Sequence, residues 1–167
     1  MTKISLTMIK KTCKNIELVI TDVDGILTDG GMYYSEKGEV LKKFNTRDGM
    51  AIKLLENGIK TILITGENSR IVKARAKKIK ASGVFIGISK KELLLPKICK
   101  KYNVSNSEIA YIGDDLNDYK IMKKVGFSAT PSDGIAEIKL VSDYVCKIKG
   151  GHGAFREFCD LILKYQK

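Results

Sequence analysis

Residues 16–30 read IELVITDVDGILTDG, and this stretch decides how the rest of the sequence is interpreted. The apolar run 18–20 is typical of a buried strand in a parallel sheet. The run is followed by Asp22, Asp24 and Gly25, which are therefore expected just past the carboxyl end of that strand. Ligands of open α/β sheets bind at this edge, and a glycine permits a sharp turn there. The stretch thus predicts an acidic site at the edge of a parallel sheet.

Two carboxylates one residue apart repel each other as anions unless they share a proton or bind a cation. Magnesium meets this need, because it is a hard cation that binds one or two carboxylates together with phosphate oxygens. Taken alone, Asp22 and Asp24 also fit an ordinary solvated turn, since Asp and Gly are common turn residues. A calcium loop of the EF-hand type fits less well, because Gly25 comes too early and the preceding segment has the pattern of a strand.

The composition is that of one ordinary domain, with 167 residues of which 44% are hydrophobic. No apolar run reaches about 18 residues, so no membrane span is expected, and no apolar segment of the kind found in secretory signals follows the basic residues 1–14. The four scattered cysteines form no CxxC pair, which is typical of reduced, mostly buried thiols in a cytoplasmic protein. Cys13 is the expected exception, because it lies in a polar segment before the first strand.

The charge is strongly positive, with 30 Lys and Arg against 19 Asp and Glu, a net of +11. Such a balance indicates either nucleic-acid binding or attraction of a small anionic substrate. The basic residues are spread along the chain, with small clusters at 10–14, 73–80 and 97–101. Because there is no long basic tail and no aromatic interleaving of the kind that stacks bases, the sequence favours a small anion and no nucleic acid.

Strand-like runs alternate with helical patterns, which predicts an α/β fold with a doubly wound parallel sheet. Strands are expected at 18–20, 61–64, 84–86, 109–112, 127–129 and 144–145, and helices at 46–56, 69–80, 90–102, 116–125 and 154–165. Pro96 is expected to kink its helix. Residues 31–44 have a glycine between two apolar runs, which predicts a projecting hairpin. We divide the chain into a basic N-terminal extension (1–15), the main domain with its hairpin (16–149), and a Gly-rich elbow and helix of the same domain (150–167).

Polar side chains are predicted to follow the ends of three strands and to begin one helix. They are Asp22 and Asp24, then Thr65, then Lys91 or Lys90, then Asp114 and Asp115 with Asp118. In a right-handed α/β topology these positions meet at one edge. A carboxylate can attack phosphorus, a second can move a proton, and a hydroxyl and an ammonium can hold phosphoryl oxygens. Each piece alone has an ordinary explanation as a turn, a helix cap or a solvated lysine, but the set predicts phosphoryl transfer.

The same residues carry a family resemblance. The sequence resembles the haloacid dehalogenase superfamily in its motifs DxDGxxTDG (22–30), ITG (64–66), a following lysine, and GDDxxD (113–118). Within it the chain is similar to the 3-deoxy-manno-octulosonate 8-phosphate phosphatases and the related phosphatases of nine-carbon sugar acids. The similarity spans about residues 16–163 and includes KKFN (42–45), RDG (47–49) and GGxGAxRE (150–157).

The resemblance implies a role for each site residue. Asp22 would be the nucleophile that becomes an aspartyl phosphate, and Asp24 the general acid and then the general base. Asp22, the backbone carbonyl of Asp24, and Asp114 would hold Mg²⁺. The phosphoryl group would be bound by Thr65, Gly66 and Lys91, with Asp115 and Asp118 in support. Lys91 is favoured over Lys90 by its spacing from Tyr111.

Members of this family lack a large cap domain and close their sites by forming tetramers through the hairpins. The resemblance therefore implies a homotetramer in the cytoplasm that acts on a small anionic sugar phosphate, without nucleic acid or membrane. Candidates for contacting the rest of the substrate are Arg47, Glu67, Lys78 and Arg156. Glu67 with Lys78 is similar to the nine-carbon type found in sialic acid biosynthesis, whereas residues 45–49 are closer to the eight-carbon type of lipopolysaccharide biosynthesis. The size of the sugar acid stays open at this point.

Three other interpretations fit parts of the sequence. A signalling receiver domain also combines acidic residues, a hydroxyl and a lysine, but it needs a phosphate-accepting Asp after a middle strand, where this sequence has residues 85–88, FIGI. A catalytically inactive lobe used for oligomerisation in sialic acid-type biosynthesis would not need the complete set of site residues. A nucleic-acid-binding module is suggested only by the charge.

Overall fold

The computed structural model describes residues 5–166, and its centre is a six-stranded parallel sheet in the order β5-β4-β1-β6-β7-β8. β2 and β3 form a separate antiparallel hairpin. The strands are β1 Leu18–Thr21, β2 Tyr33–Ser35, β3 Gly38–Leu41, β4 Lys60–Ile64, β5 Gly83–Phe85, β6 Ile109–Ile112, β7 Phe127–Thr130 and β8 Tyr144–Val145. The predicted α/β class, the parallel sheet and the hairpin insertion are confirmed.

Helices cover both faces of this sheet. They are α1 Leu6–Lys14, α2 Thr46–Leu55, α3 Arg70–Lys78, α4 Leu95–Tyr102, α5 Tyr119–Met122, α6 Ala136–Val141 and α7 Ala154–Gln166. Short 3-10 helices occupy Lys91–Leu94, Asn106–Glu108 and Leu116–Asp118. One apolar core lies under α1, α2, α3 and α7, and a second lies under α4, α5 and α6. Alternate residues of each buried strand point into the two cores, which is why the central strands β1 and β6 are mainly apolar.

The register of the central strands places the site. Ile20 of β1 pairs with Ile62 of β4 on one side and with Tyr111 of β6 on the other. The three strands therefore end at the same level, and the residues that follow each of them meet at one edge. Asp22 continues the ladder by one bond, its N–H donating to the carbonyl of Ile112 at 3.0 Å.

The predicted N-terminal extension instead contains a packed helix. α1 lies against α7 and buries Ile9 and Cys13, which stand four residues apart on one helical face. Gln166 Nε2 in α7 donates to the carbonyls of Cys13 and Ile16 at 3.0 and 2.6 Å. The expectation that Cys13 would escape burial is therefore wrong, because the thiol faces the core while the lysines of α1 face outward. Residues 1–4 lie outside the described residues.

Two helix predictions also need correction. Pro96 does not kink a helix, because the predicted helix over 90–102 starts as a 3-10 turn and α4 begins only at Leu95. Pro96 thus occupies the first turn of α4, where its missing N–H leaves no helical bond unmade. The predicted helix over 116–125 is shorter than expected, with a 3-10 turn followed by the four residues of α5.

The hairpin projects from the sheet as predicted, and it carries its apolar residues on the outside. The most exposed of them are Met32, Tyr33, Tyr34, Val40 and Leu41. No large cap domain accompanies the sheet among residues 5–166. Within the same residues, no helix has the length and apolar character that crossing a membrane requires.

Candidate active site

The residues predicted from the strand ends line one cleft of about 260 Å³. Asp22 and Asp24 follow β1, Thr65 follows β4, and Asp114 follows β6. The complete lining is Asp22, Asp24, Gly25, Gly30, Thr65, Gly66, Glu67, Asp114, Asp115 and Asn117. Lys91 is buried behind this lining, and its ammonium contacts Asp22. The structure therefore brings together the predicted catalytic, phosphate-binding and metal-binding side chains.

Lys91 is the centre of a buried ionic network. Its Nζ lies 2.8 Å from Asp22 Oδ1 and 2.6 Å from Asp118 Oδ1, and its side chain is fully buried. Burial alone would lower the pKa of Lys91, but the charges of Asp22 and Asp118 raise this pKa above its ordinary value. Lys91 is thus a fixed cation beside Asp22. Lys90, the alternative left open by the sequence, is exposed.

Asp22 is buried, so its ionised carboxylate is unfavourable without a neighbouring cation. Burial raises its pKa well above the ordinary value, and the nearby charge of Asp118 raises it further. Lys91 lowers the same pKa through its charge and its hydrogen bond. A second cation at this carboxylate would favour the ionised form that attack on phosphorus requires.

Asp118 holds the network in place through both carboxylate oxygens. Oδ1 accepts from Lys91 Nζ and from the Tyr111 hydroxyl, the latter at 2.5 Å. Oδ2 accepts from the backbone N–H groups of Asp114 and Asp115 at 3.0 and 3.4 Å. Carboxylate oxygens of Asp22, Asp114 and Asp118 lie within 4.8 Å of one another, a spacing that suits a metal ion. Because both oxygens of Asp118 already have donors, Asp22 and Asp114 are the better ligands.

Asp114 fits the role of a metal ligand. Its Oδ1 is buried and has no hydrogen-bond partner within residues 5–166. Burial and the neighbouring Asp118 raise the pKa of Asp114 to about 7. A buried oxygen without a donor is unfavourable unless a cation or a proton satisfies it, so this atom suits the predicted Mg²⁺.

Gly25 makes room for this arrangement. It adopts a φ of +81°, and a Cβ at this position would lie 2.0 Å from Asp114 Oδ2. Both the backbone conformation and the close approach of the Asp114 carboxylate therefore require glycine. Gly25, which was predicted to permit a sharp turn, is therefore also needed for the loop after β1 to pack against the loop after β6.

Asp24 lies in a different environment from Asp22. Its Oδ1 accepts from Lys42 Nζ at 2.5 Å, and its Oδ2 accepts from the Thr65 hydroxyl at 3.0 Å. The Thr65 hydroxyl in turn accepts from the N–H of Glu67 at 3.0 Å. These bonds hold the Asp24 carboxyl by way of Thr65 and Lys42, away from the network around Lys91. The two aspartates of the motif are thus placed for two different tasks.

The predicted substrate-contacting residues are not all at the cleft. Glu67 lines it. Arg47 and Arg156 line a separate groove, where Arg156 Nε lies 2.7 Å from Asp160 Oδ1. Lys78 lies in another groove between α2 and α3. In a single chain, Arg47, Lys78 and Arg156 are therefore not brought together with the catalytic residues.

Three residues that support the site were not predicted as site residues. Lys42 and Glu39 of the hairpin connect to Asp24, and Tyr111 of β6 donates to Asp118. Lys42 was noted only as part of the KKFN motif. No local pattern predicts this burial, because Val40 and Lys42 stand two residues apart and would share one face of a strand, and yet Val40 is exposed and Lys42 is buried.

Comparison with known proteins agrees with this geometry. The family model described as haloacid dehalogenase-like hydrolase matches residues 84–157. The 3-deoxy-D-manno-octulosonate 8-phosphate phosphatase of Escherichia coli K12 is 40% identical over 154 residues, which make up 92% of this chain and 82% of that protein.

Solved structures of phosphatases with this name are also similar to this chain. The phosphatase of the same name from Yersinia pestis matches with a TM-score of 0.92 and 38% identity, covering 95% of this chain and 86% of that chain. The one from Moraxella catarrhalis, solved in complex with magnesium ion, phosphate ion and KDO, matches with a TM-score of 0.93 and 39% identity, over 97% of this chain and 94% of that chain. This chain belongs to the 3-deoxy-D-manno-octulosonate 8-phosphate phosphatase family of the haloacid dehalogenase-like hydrolases.

Proposed function

We propose that this protein is a magnesium-dependent phosphatase that removes the terminal phosphate of 3-deoxy-D-manno-octulosonate 8-phosphate. The observation that carries the proposal is the separate placement of two neighbouring carboxyl groups. Asp22 is buried beside the ammonium of Lys91, whereas Asp24 is partly exposed and held by Lys42 and Thr65. The relatives that share this sequence over most of its length carry the same activity in their names.

The arrangement supports a two-step transfer. The Asp22 carboxylate attacks phosphorus and forms an aspartyl phosphate, while the bond from phosphorus to the sugar oxygen breaks and Asp24 gives that oxygen its proton. Asp24, now a carboxylate, removes a proton from a water molecule that attacks the aspartyl phosphate. Inorganic phosphate leaves, and Asp22 regains its charge. Lys91 and Thr65 are placed to hold the oxygens of the transferred group.

Asp22 and Asp114, with the backbone carbonyl of Asp24, are the proposed magnesium ligands. When bound there, the cation would neutralise the charge that develops on the phosphoryl group. The support is the buried, unpartnered Oδ1 of Asp114 among the described residues, together with the proximity of the Asp22 carboxylate. Calcium is larger and takes more ligands, so we expect it to inhibit.

The proposal is tested by measuring phosphate release from octulosonate 8-phosphate, nonulosonate 9-phosphates and hexose phosphates, each with magnesium or with a chelator. We expect the octulosonate ester to give the highest kcat/KM and chelation to abolish turnover. Full activity after exhaustive chelation would contradict the metal assignment. If hexose phosphates were better by tenfold, about 1.4 kcal/mol of transition-state binding, the sugar-acid assignment would fall while the phosphatase assignment stood.

A nonulosonate 9-phosphate is the second candidate substrate, because Glu67 lines the cleft beside Gly66. The names of the relatives favour the eight-carbon acid, so we rank the nine-carbon acid second. The same kinetic comparison separates the two substrates.

We also propose a homotetramer in the cytoplasm, acting without nucleic acid or membrane. The support for assembly is the exposed apolar surface of the hairpin, formed by Met32, Tyr33, Tyr34, Val40 and Leu41. In such an assembly a neighbouring chain could complete the shallow cleft and bring residues such as Arg47 or Arg156 to it. Lipopolysaccharide biosynthesis is the pathway that the eight-carbon substrate implies, and sialic acid biosynthesis would follow only from the nine-carbon one.

A further inference from the structure

The hairpin carries a buried lysine beside exposed apolar residues. Lys42 follows β3 directly, and its side chain is only 1% exposed, although Val40 and Leu41 beside it are exposed. Lysine is almost never fully buried unless it is paired. The next residue, Lys43, shows the ordinary case, because its side chain is 58% exposed while it pairs with Asp29 at 3.0 Å.

Two carboxylates pair with Lys42. Its Nζ lies 2.5 Å from Asp24 Oδ1 and 2.8 Å from Glu39 Oε1. Glu39 is itself fixed, because its Oε2 accepts from the hydroxyl of Ser69, the residue that caps α3. A continuous chain of hydrogen bonds thus runs from the start of α3 through the hairpin to Asp24.

These hydrogen bonds fix one of the two carboxylate oxygens of Asp24, and Thr65 fixes the other. The Thr65 hydroxyl holds Oδ2 from the sheet, and Lys42 holds Oδ1 from the hairpin. With one contact removed, the carboxyl could rotate about its side-chain bonds and lose its aim at the leaving oxygen. An error of about 1 Å in such an alignment can reduce a rate by about 100-fold.

We propose that Lys42 is a positioning residue, anchored by Glu39, which aims the carboxyl of Asp24 at the oxygen of the leaving sugar. This inference rests on the proposed function, since it assigns Lys42 a part in that reaction. Lys42 acts through Asp24 and needs no contact with the substrate. The hairpin therefore serves the chemistry of its own chain in addition to any part in assembly.

The inference is tested by comparing esters that differ in their need for a proton. The sugar oxygen of octulosonate 8-phosphate must be protonated as it leaves, whereas the phenolate of 2,4-dinitrophenyl phosphate leaves without a proton. For Lys42→Met we expect kcat/KM to fall by about 100-fold with the sugar phosphate, at the lower end of the contribution of general acid catalysis. With the dinitrophenyl ester we expect kcat/KM, which reports the first step alone, to fall by less than about threefold. Its kcat should fall further, because Asp24 is also the base of the second step.

Three further variants make the result decisive. Lys42→Arg keeps the positive charge and should restore most of the activity toward the sugar phosphate. Glu39→Gln removes the anchor and should cause a smaller loss with the same selectivity, and it serves as the test if Lys42→Met does not fold. Lys43→Met removes the neighbouring exposed lysine and should behave like the wild type. Thermal unfolding of each variant reports whether the fold is intact.

An equal loss with both esters would mean that Lys42 is only structural, and a rise in KM alone would mean that it binds substrate. Either outcome overturns the inference. If the wild-type protein released phosphate from neither ester, the proposed function itself would fail. That outcome is distinct from an active wild type whose selectivity the Lys42 variants leave unchanged.

Discussion

At the scale of single residues, the site depends on charges that are buried in pairs. Lys91 is fully buried between Asp22 and Asp118, and Tyr111 completes the hydrogen bonds of Asp118. Taking such charges out of water is unfavourable, and removal of one partner leaves the other unpaired. The network thus fixes the Lys91 ammonium beside Asp22, at some expense in stability.

We predict that Asp118→Asn destabilises the protein by about 2 kcal/mol, because the amide weakens the buried hydrogen bonds that the carboxylate accepts from Lys91 and Tyr111, although Lys91 keeps its pair with Asp22. Urea denaturation measures this change. The matched control is Asp160→Asn, which removes the partly exposed pair with Arg156 and should change the free energy of unfolding by less than about 1 kcal/mol. If both substitutions changed the free energy of unfolding equally, the buried network would contribute no more to stability than the exposed ion pair.

The sequence predicted the principal site residues because they follow strand ends. Asp22, Thr65 and Asp114 needed only the apolar runs before them and the rule that parallel strands end at one edge. Asp118 was predicted with them only as a supporting residue, and the contacts made by Asp118, Tyr111 and Lys42 could not be predicted in the same way. Their contacts join side chains from different elements, so they depend on packing that no local pattern encodes.

At the scale of elements, Asp48 of α2 links two helices. Its Oδ1 accepts from the N–H of Arg156 in the first turn of α7 at 2.9 Å, and its Oδ2 is buried without a partner in the described part of the chain. Burial raises the pKa of Asp48 to about 6, against an ordinary value of 3.8. The folded protein therefore holds a proton that the unfolded chain has already released between these two pH values.

This shift predicts the direction of a pH effect on stability. As pH rises through about 4 to 6, Asp48 loses its proton more easily in the unfolded chain, so its contribution makes the folded state less stable. Asp48→Asn keeps an acceptor for Arg156 but cannot ionise. We expect the stability of the variant relative to wild type to increase by about 2 kcal/mol between pH 4.5 and pH 8. Urea denaturation at both pH values measures it, and a relative stability independent of pH would contradict the assignment.

The elements that prediction recovered are those with strong local patterns. The central strands β1 and β6 are mainly apolar because both of their faces are buried. Asn45 and Ser69 cap α2 and α3. α1 was missed because its lysines dominate its sequence, and the burial of Ile9 and Cys13 becomes meaningful only when α7 is in place. α6 has only six residues, too few for a periodic pattern to be recognised.

At the scale of the whole molecule, the apolar residues of the hairpin predict self-assembly. Pairing of copies about a symmetry axis would cover this surface. We expect a tetramer by light scattering at micromolar concentration, four times the 18.6 kDa of one chain. The double substitution Tyr34→Glu with Val40→Lys should lower this mass, because it places charges in the covered surface.

The matched control for assembly is Leu140→Glu, which alters a side chain that is 64% exposed on α6, outside the hairpin. This substitution should leave the mass unchanged. A wild-type sample that is monomeric and fully active would contradict the proposed assembly. Loss of assembly caused only by Leu140→Glu would place the interface elsewhere.

The central claim is that Asp22 attacks the phosphorus of a sugar-acid phosphate. The most direct measurement is the turnover of octulosonate 8-phosphate by Asp22→Asn, which keeps the shape of the side chain and removes the attacking charge. With the fold verified by thermal unfolding, we expect activity to fall by at least about 10⁴-fold, as for other essential nucleophiles. Near-normal turnover by a well-folded Asp22→Asn protein would contradict the aspartyl-phosphate mechanism.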